Sequence, residues 1–256
     1  MNQTPDQLTF QMPPGYTALT ALDRVKHAGK IAASPDYSWC GKLNSVFVNL
    51  AEMGKACPDY PIAFVRETNS GEYLPVILLS LRSGENLYVG SDGKWEPRTY
   101  VPAYMRRYPF CLVEMPDQGG GEPQRLILVE ENKLVPSDKP YFDAKGEATP
   151  EWQPVQDLIE LMERARQETR AFTRRLEAFG LFVPFDALAT PRSGGQSMRL
   201  QGLHRIDEEK LNALGTREQK LLMRKGELRA VYAHLLSLEN FARLLDLSQE
   251  LGKDRG

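Results

Sequence analysis

The side chains best placed to do chemistry cluster in Tyr104-Met105-Arg106-Arg107-Tyr108, where two guanidinium groups sit between two phenols. A guanidinium offers forked donors that match a carboxylate, and an aromatic ring can stack against it, so this pattern can clamp an anion or a peptide carboxylate. It also suits a packed corner in which one arginine pairs with a local acid while the rings are buried, and packing is the weightier of the two readings. His234 stands three residues before Ser237 and six before Asn240. It can be a general base, or, with no nucleophile assignable beside it, a hydrogen-bonded histidine at a helix interface. Asp92-Gly93 presents a carboxylate at an expected hairpin turn, where the needs of the backbone explain both residues. Asp59-Tyr60-Pro61 borders either a pocket or simply the start of a strand. The candidate binding residues are therefore Arg106, Arg107, Tyr104, Tyr108 and His234, and no catalytic residue is assigned.

Most familiar chemistries lack their motifs. The chain has three histidines, His27, His204 and His234. The nearest approach to an iron-binding pair, His204-Arg205-Ile206-Asp207, has the wrong spacing for H-x-D/E. There is no H-E-x-x-H helix, no G-x-S-x-G elbow, no G-x-x-x-x-G-K-[ST] loop and no G-x-G-x-x-G turn. No metal and no cofactor is expected. Cys40, Cys57 and Cys111 are widely spaced and unpaired by motif, which argues against a disulfide framework or a cysteine-only zinc site. A formal net charge of −2 supplies no bulk attraction to nucleic acid or to an anionic membrane. No apolar run approaches the roughly 18 residues that span a bilayer. The N-terminus lacks the basic start and apolar core of a secretory signal, so a cytoplasmic location without membrane insertion is expected.

The elements that must position these residues read as α+β, a mostly antiparallel N-terminal sheet packed against a helical C-terminal half. Residues 1–33 form an N-terminal arm, of which the first 20 or so, polar and carrying Pro5, Pro13 and Pro14, read as extended and weakly ordered. Residues 34–148 form a β-rich subdomain. Short strands are expected at Ser45–Asn49, Ile62–Val65, from about Pro75 to Leu81 and at Asn86–Val89, with a hairpin from Cys111–Met115 and Leu126–Val129. The Pro116–Pro123 connection, holding Gly119-Gly120-Gly121, reads as flexible. Residues 149–256 form a mainly helical subdomain that shares one core with the first. Its long helix starts at Thr149-Pro150-Glu151 and stops at Gly180. The face of that helix carrying Glu163, Arg166, Arg170 and Arg174 reads as solvated. A loop is expected over 181–196, a strand over Ser197–Ile206, and a capped turn at Asp207. Thr216 should open a helix by a capping box, and one unbroken helix should run from Leu228 to about Leu251.

Taken together, several of these pieces carry a family likeness. They are Asp59-Tyr60-Pro61-Ile62, Gly84-Glu85-Asn86-Leu87, Asp92-Gly93-Lys94-Trp95 and the run Tyr100 to Phe110. Further along are Leu200-Gln201-Gly202, Asp207 to Asn212, and Tyr232-Ala233-His234-Leu235 through Arg243-Leu244. Across roughly residues 35 to 248 the chain resembles the SapC family, named for a link to bacterial surface-layer proteins. The resemblance implies a place beside outer-membrane receptors, halogenase-like flavoproteins and cupin-like proteins in nutrient-uptake or envelope loci. Two functions follow as expectations. One is a non-enzymatic cytoplasmic accessory protein that binds a protein or peptide partner in surface-layer or envelope assembly. The other is an enzyme, or an enzyme's partner, acting on a peptide or small metabolite in a pocket near Arg106 and Tyr108.

Overall fold

The computed structural model describes residues 12–115, 124–189 and 198–253. In chain order the elements are β1 (Thr20–Ala21), β2 (Lys30–Ala32), a 3₁₀ turn at Tyr37–Cys40, β3 (Ser45–Phe47), α1 (Leu50–Ala56), β4 (Ile62–Arg66) and β5 (Tyr73–Leu78). Then come α2 (Ala103–Arg106), β6 (Phe110–Met115), β7 (Gln124–Val129), a 3₁₀ turn at Glu131–Lys133, β8 (Leu134–Pro136) and α3 (Gln153–Ala178). The chain continues through β9 (Phe182–Ala189), β10 (Met198–Ile206), α4 (Glu208–Asn212), α5 (Thr216–Arg224), α6 (Leu228–Ser237) and α7 (Asn240–Lys253). The fold is α+β, and every named strand pairing is antiparallel.

The main sheet has the order β3-β5-β4-β10-β9. Its middle strand is buried because Ile62, Ala63 and Phe64 lose all exposure between two neighbouring strands and the packed helices. Pro75 lies inside β5, not at its start as expected. It is tolerated because it faces the point where β3 has ended: its carbonyl accepts from Val48 N at 3.1 Å, and the ladder loses only one further donor there. Two smaller sheets complete the β structure, β1-β7-β6 and β2-β8. Both draw a strand from residues 20–32, expected to belong to an arm.

The main sheet crosses the compositional boundary near residue 149, since β10 pairs with β4 through Leu203↔Val65 and His204↔Phe64. The segment 182–189, expected as loop, is a strand paired along its length with β10. Its apolar residues Phe182, Val183, Phe185 and Leu188 do not alternate, and the turn-forming Pro184 and Asp186 stand among them, so no strand period is visible. Further corrections are local. Asn86–Val89 forms no strand, only a single bridge between Val89 and Trp95. The long helix begins at Gln153 after Trp152, because Thr149 spends its hydroxyl on Pro140 O at 2.6 Å and closes a turn there. Gly215, not Thr216, caps α5. The final helix breaks after Ser237, whose hydroxyl donates to His234 O at 2.6 Å and accepts from Ile62 N at 2.9 Å, turning that stretch toward β4. On the face of α3 expected to be solvated the arginines are at least partly exposed and also ion-paired, Arg170 and Arg174 holding Glu72 at the foot of β5 and Arg166 holding Glu163, which is itself buried. The Pro116–Pro123 connection lies outside the described residues. So does the expected loop beyond Ala189.

One large cluster of buried side chains draws on both halves of the chain, from Tyr60, Phe64 and Leu79 to Phe172, Leu176 and Val231. A smaller cluster, around Phe110, Phe142 and Trp152, fills the space beneath β6 and the start of α3.

Candidate functional site

The Tyr104–Tyr108 cluster sits on a single helical turn. Pro102 precedes α2, its carbonyl accepting from Met105 and Arg106, and a cis Tyr108–Pro109 peptide leads into β6. Residues three apart share a face. Tyr104 and Arg107 therefore look one way, while Met105 and Tyr108 look another and line a cleft with Arg106. The five candidates do not form one site.

Arg106 is exposed yet held. Its Nε donates to Val101 O and its Nη2 to Tyr100 Oη, both at 3.1 Å, and the guanidinium lies over the Tyr100 ring. Tyr100 in turn donates to Glu52 Oε1 at 2.8 Å. Glu52 is buried and collects donors: Ala103 N at 2.6 Å on one oxygen, Asn49 N and Nδ2 at 3.2 and 3.0 Å on the other. A carboxylate in the first turn of α1 thus fixes the start of α2 and, through Tyr100, the arginine. Sequence reasoning missed Glu52. The signal available was an acid at the third position of a helix opened by Asn49.

The Asp59-Tyr60 turn supports the same loop from below. Asp59 Oδ2 accepts from Tyr100 N at 2.8 Å, Tyr60 donates to Tyr100 O at 2.5 Å, and Trp95 Nε1 donates to Tyr60 Oη at 3.1 Å. Asp92-Gly93 is a turn, with Asp92 Oδ1 accepting from Lys94 N. Gly93 is favoured there twice over. Its φ is +74°, and a Cβ would fall 2.4 Å from Asp36 Oδ1, so any other residue would be strained and would push the Asp36 side chain aside. Docked on the 36–38 segment, with Gly93 O accepting from Tyr37 N at 2.8 Å, the turn sets Asp36 at the cleft.

The cleft has a volume of about 580 Å³ and runs between residues 31–35 and α2. Its wall is aromatic, with Trp39 and Tyr108 stacked at 4.1 Å and 9°. Arg106 and Lys133 bring two cations to it and Asp36 one carboxylate. Hydrogen bonds from the Ser38 side chain and backbone hold Asp36 below the usual carboxylate range, so it stays charged. Among the described residues neither Arg106 nor Lys133 has a carboxylate within ion-pair distance.

Tyr108 gives its hydroxyl to Glu130 Oε2 at 2.6 Å. Burial, then Glu130, push the phenol far above its ordinary value, so it serves as a wall and a donor. Glu130 itself is buried. Burial works against its charge, but the Thr17 backbone N–H and the Tyr108 hydroxyl outweigh it and hold the carboxylate low. Tyr104 donates to Pro14 O and Tyr16 to Phe110 O, both at 2.7 Å. Residues 14–18, expected to be weakly ordered, are therefore strapped across the back of the aromatic cluster. The arm's earlier residues, 1–11, lie outside the described ones.

Arg107 belongs to that packed cluster, its guanidinium 4.4 Å from the Tyr104 ring and 5.7 Å from that of Tyr16. His234 is elsewhere, fully buried against Phe64. Its Nδ1 lies 2.8 Å from Ile62 O and its Nε2 accepts from Ile206 N at 3.0 Å. The carbonyl needs a donor and the amide an acceptor, so the ring is neutral with its proton on Nδ1. Both nitrogens are committed to backbone groups of β4 and β10. Among the described residues no cluster of three metal-ligating side chains occurs, and no helix is long and apolar enough to cross a membrane.

The landmarks that frame the cleft, Tyr100 to Phe110 and Asp92 to Trp95, are among those that carry the family likeness. A search of curated proteins and a search of solved structures find no match. The model of one family, SapC, matches residues 22–244, from the strand pair behind the cleft to α7. With that match running over nearly the whole sequence, the chain belongs to the SapC family.

Proposed function

We propose that this protein is a non-enzymatic accessory protein that holds a segment of a protein partner in the cleft beside α2, in the cytoplasm, in support of surface-layer or envelope assembly or of nutrient uptake. The observation that carries this reading is the joining, in one cleft, of a stacked aromatic wall to two cations that, among the described residues, have no carboxylate within ion-pair distance. An extended peptide with an acidic side chain or a C-terminal carboxylate next to an apolar residue fits that lining. The anion meets Arg106 and Lys133, and the apolar group lies on Trp39 and Tyr108. Arg106 is pre-positioned by Tyr100 and Glu52, which lowers the ordering cost of binding. The enzyme reading finds less support, because Tyr108 is engaged with Glu130 and the buried His234 faces away from the cleft in its hydrogen bonding. Free thiols at Cys40, Cys57 and Cys111 fit a reducing compartment.

The test is capture from bacterial lysate after cross-linking, with wild type and with Arg106→Ala/Lys133→Ala. A partner cross-linked through residues of the cleft, identified by mass spectrometry and lost from the double variant at unchanged thermal stability, is the expected result. Equal recovery by both proteins, or a metabolite retained in the cleft of the purified protein, overturns the reading.

A further inference from the structure

On the face of α2 turned away from the cleft, α3 leaves a second cavity of about 200 Å³. By volume it holds about seven waters or a molecule of comparable size. Its flanks include Ile159 and Met162, and its polar groups are Asn49, Arg107, Glu163 and Arg166.

Two of those polar groups are incomplete. Arg107 Nε is buried with no acceptor; the rest of the guanidinium is taken up by the Tyr16 and Tyr104 hydroxyls and ring faces, and among the described residues it has no carboxylate within ion-pair distance. Glu163 cannot serve it. That carboxylate already takes Arg166 Nε at 3.0 Å and Nη2 at 2.8 Å, with Gln167 Nε2 at 3.3 Å. Asn49 is 2% exposed, and its Oδ1 faces the Glu52 backbone N–H in a capping-box arrangement without completing a well-formed hydrogen bond. The amide is not free to turn over, because Nδ2 donates to Glu52 Oε2 at 3.0 Å and a reversed amide would set oxygen against that carboxylate. With Glu163 and Arg166 neutralising each other, the cavity keeps one positive charge that has no carboxylate partner among the described residues and one unfilled donor, Arg107 Nε, beside the unfilled acceptor Asn49 Oδ1. A buried charge without a partner is strongly unfavourable, and an anion removes that penalty.

We infer that this cavity is a binding site for a small monoanion that also carries a hydroxyl, a short hydroxycarboxylate being the simplest case. The carboxylate engages Arg107 Nε, the hydroxyl donates to Asn49 Oδ1, and the short carbon chain lies against Ile159 and Met162. The site is distinct from the cleft, so failure of either leaves the other standing.

Calorimetry and thermal unfolding with lactate and 3-hydroxybutyrate, against butyrate and lactamide, test this on the full chain. Both hydroxycarboxylates should raise the melting temperature. Butyrate should bind at least tenfold more weakly than 3-hydroxybutyrate, and the neutral lactamide should not bind. Met162→Trp, which fills the cavity from its apolar flank, should abolish the effect, and Leu112→Phe serves the same purpose if the tryptophan variant does not fold. Absence of any shift together with a native mass spectrum of bare protein overturns the inference. So does an equal response to acid and amide, or binding unchanged in a folded cavity-filling variant.

Discussion

Neighbouring arginines on one short turn have taken opposite parts because each found a different set of acceptors. Arg106 spends Nε and Nη2 on Val101 and Tyr100 and keeps the remainder outward, whereas Arg107 is packed between tyrosine rings. Arg106→Ala should weaken partner binding at least tenfold with little change in stability. A titration of the captured partner against wild type and variant reads this directly. Glu52→Gln should cost roughly 2–3 kcal/mol, because a buried acceptor of four donors would then offer one oxygen and a competing amide; chemical denaturation measures it. The same change should also weaken binding at the cleft, since Tyr100 would no longer be held. His234 makes the sharpest statement about pH. Burial, outweighing its hydrogen bond to Ile62, lowers its pKa from 6.5 to about 4. The unfolded chain therefore takes up this proton first as pH falls. The histidine's contribution is complete above about pH 6.5 and is lost progressively down to about pH 4, a change of roughly 3 kcal/mol. Unfolding free energies measured from pH 7 to 4.5 should fall more steeply for wild type than for His234→Gln, which starts less stable. Parallel slopes would show that the imidazole is not the group responsible.

At the scale of elements, the residues ahead of β1 form a strap whose attachment depends on hydroxyls and one carboxylate. Glu130 accepts from the backbone of Thr17 and Ala18 and from Tyr108, and Tyr104 and Tyr16 bind carbonyls on either side of the crossing. Gly15, at φ +85°, passes so close to Trp39 that a Cβ would lie 2.7 Å from Cζ3. Gly15→Ala should therefore destabilise the protein by about 1–3 kcal/mol. Amide exchange at Thr17 and Ala18 should speed up well before the main sheet responds, and unchanged exchange there would mean the strap tolerates the methyl group. A second clamp joins α3 to β5 through Glu72, whose carboxylate is held low chiefly by Arg174.

For the whole molecule, the pairing of β10 with β4 makes the two compositional halves one sheet. A fragment ending at residue 148 would expose the edge of β4 and uncover Phe64, which packs on Phe182 and His234. Such a fragment should not unfold cooperatively by itself, while co-expression with 149–256 should restore a single transition; calorimetry of each distinguishes the cases. This interdependence is why the sequence was legible in parts and opaque in others. Periodicity marked α3, β4, β5 and the β6–β7 hairpin because those segments bury one face or both along their whole length. It failed at Phe182–Ala189, where proline and aspartate interrupt a strand that only β10 makes regular. It failed again at Ser237, where a hydroxyl bonding to β4 breaks a helix that local propensity would continue. The candidate site shows the same division. The cluster Tyr104–Tyr108 could be named from residue types alone, and so could the competition within it between binding and packing. Which arginine packs and which faces a cleft depended on a one-turn helix rotating neighbouring residues to different faces, and on Glu52, Trp39 and Lys133, which are remote in sequence. Residue type and spacing by themselves determined the α+β class, the family likeness and the list of candidates, because these rest on local patterns. Only the tertiary structure decided which candidates share a site, because hydrogen bonds and ring contacts between distant segments, from Pro14 to Glu130, set where each side chain points.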